Sequence, residues 1–533
     1  MSVPQTVSDV LKDHVVLEVE CIDRMYLNVY VPQLQWARGI ATFLRYHLGH
    51  TFASSALMAP ITKAFVRSIE RFADERNVPL IPFKKGQRKD VIAQDHFSRF
   101  PHHEGVVFVG KAQEKAPVFR TEKRRDQNGM TYPWIVRSTA MVNHYYFYCL
   151  DEHFGPFFLK FCSYFPYTAK LCINGHEYLK RQLDQAGIPY EALDNGILAC
   201  KNPDELQKIA DRLTPAKIDR LLRKWLAKLP HPFTPQDRRA GYRYDVSILQ
   251  AEFSLTQVLD RPLSGRIFFE EVIRENLDLG RPDRVQLIFN RRIRKSTPGR
   301  FRTRVLTNGV TPSLHVEYKA SHVKQYHKEG RALRTETTIN NTRDFGIGKR
   351  LKNLPQLRKI GNLANRRLLN VQRLSHDPMA GEQALDQVTS PIVVDGQRAS
   401  AMRWNDPTVL ALLTALLVFR LLPRGFSNGE LREHYAQLLG RSTSDITPGR
   451  MTYQLRRLRL HGLIIRQPGT HTYHVTDMGF RIALFYVRTH TRLLRPGLAH
   501  LTATRLSQHP LACAFDALNR RIDAYIQHQQ LAA

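Results

Sequence analysis

The chain has 533 residues, 43% of them hydrophobic and 24% charged, and its 79 Lys and Arg against 48 Asp and Glu give a formal net charge of +31. That length exceeds what one hydrophobic core organises, and the composition excludes a disordered or fibrous chain, so several folded domains are expected. The charge calls for a polyanionic partner, nucleic acid first, and the six cysteines form no CxxC pair, which leaves neither a zinc ribbon nor a disulfide framework indicated.

In chain order, Met1 to Asp13 is polar and lacks the apolar core of a secretory signal, so a reducing cytoplasm is the expected location. Val15 to Val31 alternates and is rich in β-branched residues, which predicts a strand or hairpin. Helices are predicted over Gln33 to Leu48 and Pro60 to Arg76, the latter from Ile61, Phe65, Ile69 and Phe72 on one face. Strands return at Pro79 to Phe83, Gly105 to Gly110, Ile135 to Val142, Tyr145 to Leu150 and Pro156 to Phe165. The predicted α+β domain covers residues 1–200.

Residues 201–283 read as a helical insert, because Asn202-Pro203, Thr214-Pro215 and Thr234-Pro235 each place a capping residue before a proline at the first helical position. Residues 284–373 read as a basic, β-rich nucleic-acid-binding region, with 21 Lys and Arg against four acids over residues 290–373. Like charges at that density repel unless an anion neutralises them, and phosphate contacts release counterions. Arg291, Arg292 and Arg294 in one run, and Lys349, Arg350 and Lys352 in another, are the candidate phosphate contacts. Phe301, Tyr318, Tyr326 and Phe345 lie among them and are candidates for stacking on bases or for the core.

Within this region, alternation from Leu333 to Ile339 predicts a strand with Arg334, Glu336 and Thr338 on one face. A carboxylate between cations suits Mg²⁺ or Mn²⁺, so Glu336 and Asp23 are the candidate metal-binding and catalytic carboxylates, with Asp151 as a third possible member. An ion pair of Glu336 with Arg331 or Arg334 is the plainer alternative. His176 and Glu177 offer a possible acid and base. Tyr326-His327-Lys328 leading into the Arg334-Thr335-Glu336 strand resembles a stretch of rolling-circle replication initiators, which implies a metal-dependent nuclease or strand transferase. The His-hydrophobic-His metal motif of that family is absent. No P-loop, serine elbow, HExxH or complete dinucleotide fingerprint occurs, so no nucleotide or zinc site is indicated.

Residues 374–403 lack periodicity and read as a linker. Val409 to Leu422 is apolar but too short for a membrane span and contains Arg420, so no membrane partner is expected. Over residues 404–495, Asn405-Asp406-Pro407, Ser427-Asn428 and Thr447-Pro448 start three helices, and a hairpin with the tip Pro468-Gly469-Thr470-His471-Thr472 follows. In the third helix Met451, Leu455 and Leu458 are expected in the core, with Arg450, Gln454, Arg457 and His461 outward. The run Leu455-Arg456-Arg457-Leu458, then Gly462-Leu463-Ile464 and Tyr473, Val475 and Thr476, resembles winged helix-turn-helix regulators of the MarR kind. That resemblance implies duplex DNA contacts from Arg450, Gln454, Arg457 and Arg459 and from His471 on the wing. Residues 496–533 read as a helical tail.

The sequence thus predicts a multidomain α+β protein: an N-terminal mixed region with a helical insert, a basic β-rich middle and a C-terminal winged helix. Its expected partner is double-stranded DNA, and its expected role is DNA processing in a mobile element or replication system. The alternatives are a non-catalytic regulator, a DNA-organising protein, or an RNA binder. Oligomeric state is not set by these features.

Overall fold

The computed structural model describes residues 5–495, apart from positions 85, 126, 128, 261, 280, 295, 309–310, 375–384, 404–405 and 421–423, together with positions 517, 520 and 521. The expected helical tail, but for those three positions, and Asn405 of the expected helix start lie outside the described residues. The chain divides into two compact units, Met1–His376 and Asp377–Ala533.

The first unit is built on a sheet of eleven strands. These are β1 (Val15–Tyr30), β2 (Leu80–Pro82), β3 (Gly105–Arg125), β4 (Thr131–Asp151), β5 (Gly155–Cys162), β6 (Ala169–Asn174), β7 (Asp245–Leu259), β8 (Thr303–Asn308), β9 (Thr311–Tyr318), β10 (Ser321–Lys328) and β11 (Ala332–Ile339). Their spatial order is β8-β9-β10-β11-β7-β1-β6-β5-β4-β3-β2. All neighbours are antiparallel except the short β2, which runs parallel to β3. The boundaries expected at 200/201 and 283/284 therefore separate no bodies, since strands from all three segments share this sheet.

The structure departs from the sequence expectations at two places. The insert expected to be helical contains β7, which joins the two halves of the sheet between β11 and β1. Every residue of β7 from Phe253 to Leu259 is buried, so the strand is covered on both faces and loses the alternation that marks a half-exposed strand. The expected β-rich middle ends instead in a helix, Leu354–Val371. Its buried Leu354, Leu357, Gly361, Ala364, Leu368 and Leu369 follow the 3–4 spacing of one face. Gly361 is required where this helix crosses β7, because a Cβ there would lie 2.3 Å from the Phe253 ring. Asn365 seals the contact, donating to the Phe253 carbonyl at 2.9 Å and accepting from the Thr337 hydroxyl at 2.6 Å.

This helix covers the face of the sheet that carries Phe253 and Thr337. On the opposite face, the helix Gly175–Gln185, the hairpin around 190–200 and the helix Pro203–Asp211 pack over Leu17, Val19, Cys21 and Val258. Beyond them that second face opens into the cleft described below.

The second unit holds three helices, Pro407–Phe419, Asn428–Leu438 and Pro448–Leu460, then a hairpin of Ile464–Arg466 with Tyr473–Val475, then the helix Asp477–Thr489. Asp406, Ser427, Thr447 and Thr476 cap the four helices, each side chain accepting from a first-turn N–H. Their core includes Leu412, Leu416, Leu431, Tyr435, Met451, Leu455, Leu458, Leu463 and Tyr486. The segment expected as a linker contributes a further hairpin, Ile392–Val394 with Gln397–Ala399. Among the described residues no helix is long and apolar enough to cross a membrane.

Candidate functional site: a carboxylate cleft on the sheet

Alternation sets the face of each strand, and one irregularity sets the site. β1 pairs with β7 in register up to Ile22 opposite Phe253, and again from Met25 opposite Ala251. Asp23 and Arg24 thus stand against the single residue Glu252, a β-bulge. In a regular strand two successive side chains point to opposite faces. The bulge turns both to the same side, and both line one cleft. On the neighbouring strands the same side carries Glu252, Ser254 and Thr256 of β7, Arg334, Glu336 and Thr338 of β11, and His322, Lys324 and Tyr326 of β10, placed opposite one another by the register.

The cleft encloses about 550 Å³, and its lining includes Asp23, Arg24, Glu252, Lys324, Tyr326 and Glu336. Beneath it lies Arg334, fully buried. Its Nη2 donates to Asp23 Oδ2 at 2.9 Å and to His176 Nε2 at 2.6 Å. Its Nη1 donates to Thr256 Oγ1 at 2.7 Å and to the Asn195 carbonyl at 2.9 Å, and its Nε to Glu336 Oε1 at 3.1 Å. All five N–H donors are used, which is the condition for burying a guanidinium.

The surrounding residues are fixed in turn. Asn195 Nδ2 donates to Asp23 Oδ1 at 2.5 Å, and Asn174 Nδ2 donates to Asn195 Oδ1 at 2.8 Å. Asn174 also caps the helix Gly175–Gln185, its Oδ1 accepting from the His176 and Glu177 amides at 2.8 and 3.3 Å. Gly175 has to be glycine, since a Cβ would fall 2.0 Å from the Ile22 carbonyl oxygen. The Tyr326 hydroxyl donates to Glu336 Oε1 at 2.8 Å, and Lys324 Nζ lies 4.1 Å from the centroid of the Tyr326 ring.

The electrostatics separate the three carboxylates. Burial acts to raise the Asp23 pKa, but Arg334, His176 and hydrogen bonding outweigh it, so Asp23 is held below the ordinary carboxylate range. Burial and the Asp23 charge push Glu336 upward. Burial, then Asp23, raises Glu252 to about 7. Burial and then the Arg334 charge depress His176 to about 3. With its Nε2 accepting from Arg334, His176 is a neutral imidazole with its proton on Nδ1.

The sequence-predicted pair Asp23 and Glu336 therefore meets through Arg334, and of the two ion-pair partners considered for Glu336 it is Arg334 that binds it at 3.1 Å. Asp151 does not join them: it accepts from the His153 and Phe154 amides at its own turn and from Lys224 and Trp225, at 2.7 and 2.8 Å. His176 is locked as an acceptor, which corrects its reading as an acid. Sequence reasoning missed Glu252, Arg24 and Asn195. Glu252 was hidden by the misread β7, and the signal available was its place two residues from Ser254 in a run of β-branched and aromatic residues.

The basic middle spends many of its charges internally. Arg302 and Arg304 pair with Glu317, Arg366 with Glu18 and Glu20, and Arg358 with Asp211. Arg291 is half-buried and donates to the Phe345 carbonyl, whereas Arg292, Arg294, Lys349, Arg350 and Lys352 are exposed. Tyr318 and Phe345 are core residues, their rings packed with Phe289 and Phe301. Tyr326 alone of the four expected aromatics lines the cleft.

In the second unit Arg450 and Arg459 are exposed on the third helix and His471 at the hairpin tip, as the alternation of faces required. Arg457 is not: only 6% exposed, it donates through Nε to the Ser400 carbonyl at 3.0 Å and through Nη2 to that of Ala401. Gln454 is likewise buried, and His461 contacts the carbonyls of Gln387 and Ser400. The physical reason is the segment around 387–401, which packs on the face of the helix expected to meet solvent.

Among the described residues no group of three or more His, Cys, Asp and Glu is arranged to hold a metal ion. A search of family models, of curated proteins and of solved structures finds no match to this chain.

Proposed function

We propose that this protein binds DNA and acts on its phosphodiester backbone at the Asp23–Arg334–Glu336 cleft. The observation that carries the reading is the combination in one open cleft of three inward carboxylates, Asp23, Glu252 and Glu336, with the cations Arg24 and Lys324, which have no carboxylate partner within 4 Å among the described residues. Unpaired cations beside carboxylates suit a phosphate whose charge a divalent cation completes. Mg²⁺ or Mn²⁺ is commonly held by one or two carboxylates together with substrate phosphate, so a preformed three-ligand cage is not needed. Glu252 is the residue that would hold it, Asp23 being committed to Arg334 and Glu336 to Arg334 and Tyr326.

Tyr326 is the nucleophile the cleft offers. Its hydroxyl already rests on Glu336, whose raised pKa makes it the better proton acceptor. Attack of Tyr326 Oη on phosphorus forms a tyrosyl–phosphate bond and breaks the bond to the strand's leaving oxygen; Glu336 takes the phenolic proton and gives it up to that oxygen, which departs as a hydroxyl. The second unit supplies a duplex contact. Its order of three helices, hairpin and helix is that of MarR-like winged helices, with Arg450, Arg459 and His471 toward DNA.

The test is to incubate the full-length protein with end-labelled single- and double-stranded DNA and Mn²⁺ or Mg²⁺, with and without EDTA, and to resolve the products under denaturing conditions. Metal-dependent cleavage with label retained on the protein supports the reading, and free cleaved strand assigns water as nucleophile. Binding without cleavage supports the second reading, a non-catalytic DNA-binding protein, which the full engagement of Asp23 by Arg334 and Asn195 favours.

A further inference from the structure

The cleft continues along the sheet. Arg24 lines it and also lines a second cavity, of about 460 Å³, formed by the same face of β1, β6, β5 and β4. The walls of this cavity are aromatic: Tyr26, Tyr146, Tyr148 and Phe158, with ring centroids 5.4 to 6.3 Å apart. Its polar lining is mostly cationic, with Lys89, Lys160 and Lys170 beside Arg24 and one acid, Asp90. Glu114 ties Lys89, Lys160 and the Tyr146 hydroxyl together behind the wall, so one carboxylate is shared between two lysines. Arg24 and Lys170 have no carboxylate partner within 4 Å among the described residues.

Tyr146 and Tyr148 are buried in an apolar cluster with Phe108 and Val107, whereas Tyr26 and Phe158 are half-buried at the wall beside Arg24 and Lys170. A nucleotide fits this pairing, because its base can stack on the accessible rings of Tyr26 and Phe158 while its phosphate meets the cations. The cavity volume lies within the range of small-ligand sites. A duplex keeps its bases stacked on one another and cannot offer one to such a pocket without unstacking it.

We infer that this cavity is a subsite for an unpaired base of single-stranded DNA, holding the nucleotide next to the phosphate seated in the carboxylate cleft. The inference rests on the proposed DNA reading and deepens it: the strand crosses β10, β11, β7, β1, β6 and β5 on one sheet face. Arg24, lining both cavities, meets the phosphate between the two positions.

The test uses the full-length protein and an oligothymidine longer than the roughly 4–16 nucleotides such a groove occupies. The strand carries one 2-aminopurine, and it is titrated alone and as a duplex at fixed salt. The inference expects preference for the single strand and quenching of 2-aminopurine emission as the base stacks. Tyr26→Leu should weaken binding roughly 5- to 150-fold and relieve the quenching. Lys170→Gln, at a half-buried position, should lower affinity and reduce the slope of log K against log salt by roughly 0.7. If the single strand binds and both variants match wild type, the subsite is overturned while the DNA reading stands. Preference for duplex with no quenching also overturns it. If neither DNA form binds, the subsite and the DNA reading fall together.

Discussion

Arg334 and Asp23, 311 positions apart in sequence, meet at 2.9 Å inside the first unit. The guanidinium is fully buried and Asp23 only 4% exposed, so neither charge has water to fall back on. Removing one member of such a pair leaves the other uncompensated, at a cost of about 3–5 kcal/mol. Arg334→Met is therefore expected to lower the unfolding free energy of the first unit, read from denaturant titration, by that order, and Arg334→Met with Asp23→Asn by less than the sum of the two single changes. Additive losses in a double-mutant cycle would show that the two residues do not depend on each other.

Glu336→Gln tests the chemistry of the cleft. It keeps the size and the acceptor for Tyr326 and Arg334 but removes a charge. If the cleft cleaves DNA, the rate should fall by a factor of about 10²–10⁴, the usual contribution of a general base. DNA affinity should hold or rise, since one negative charge beside phosphate is gone. A variant that cleaves at the wild-type rate would take Glu336 out of the reaction.

Glu252 gives a pH dependence. Its pKa rises from 4.5 to about 7, with burial the main cause and Asp23 next, so the folded state holds a proton that the unfolded state releases. Stability is then greatest below pH 4.5, as far as this group is concerned, and declines as pH rises to about 7, by up to about 3 kcal/mol in total. Above that window the curve should be flat. Glu252→Gln should remove the decline, which urea titrations between pH 5 and 8 would measure. An identical slope in the variant would assign the decline elsewhere.

In the second unit, two arginines of one helix should behave oppositely. Arg457→Ala withdraws the donors to the Ser400 and Ala401 carbonyls and should destabilise the unit by about 1–3 kcal/mol. Arg450→Ala with Arg459→Ala removes exposed charges and should leave the melting temperature nearly unchanged while weakening duplex DNA binding several-fold at low salt. Equal effects of the two substitutions on DNA binding, with stability untouched in both, would contradict the burial of Arg457.

Strongly periodic segments were legible in the sequence. The helix Met58–Glu75, the hairpin of β4 and β5 and the strand β11 stand near where the spacing of their apolar residues put them, and the faces of β11 follow its alternation. The pairing of Asp23 with Glu336 was legible only as two carboxylates on strands of suitable polarity. What joins them, Arg334, was read as one of two possible ion-pair partners, since alternation gives a face but not a depth. β7 was lost because its two-sided burial erases the period of two. Arg457 was placed outward because helical spacing cannot reveal that the hairpin at 392–399 lies against that side.

The bulge opposite Glu252 has a consequence for how this cleft is written into the chain. Asp23 and Arg24 share a side only because β1 holds one residue more than the ladder needs. Deleting one residue there would restore strict pairing and force a choice: the acid that holds Arg334 or the base that joins the two cavities, but not both. The two cavities share Arg24, and Arg24 stands on the side of Asp23 only through that count of residues. A substitution of Asp23 would therefore touch the first cavity and one of Arg24 both, whereas a single-residue deletion at the bulge would remove the offset that lets the two side chains share a face.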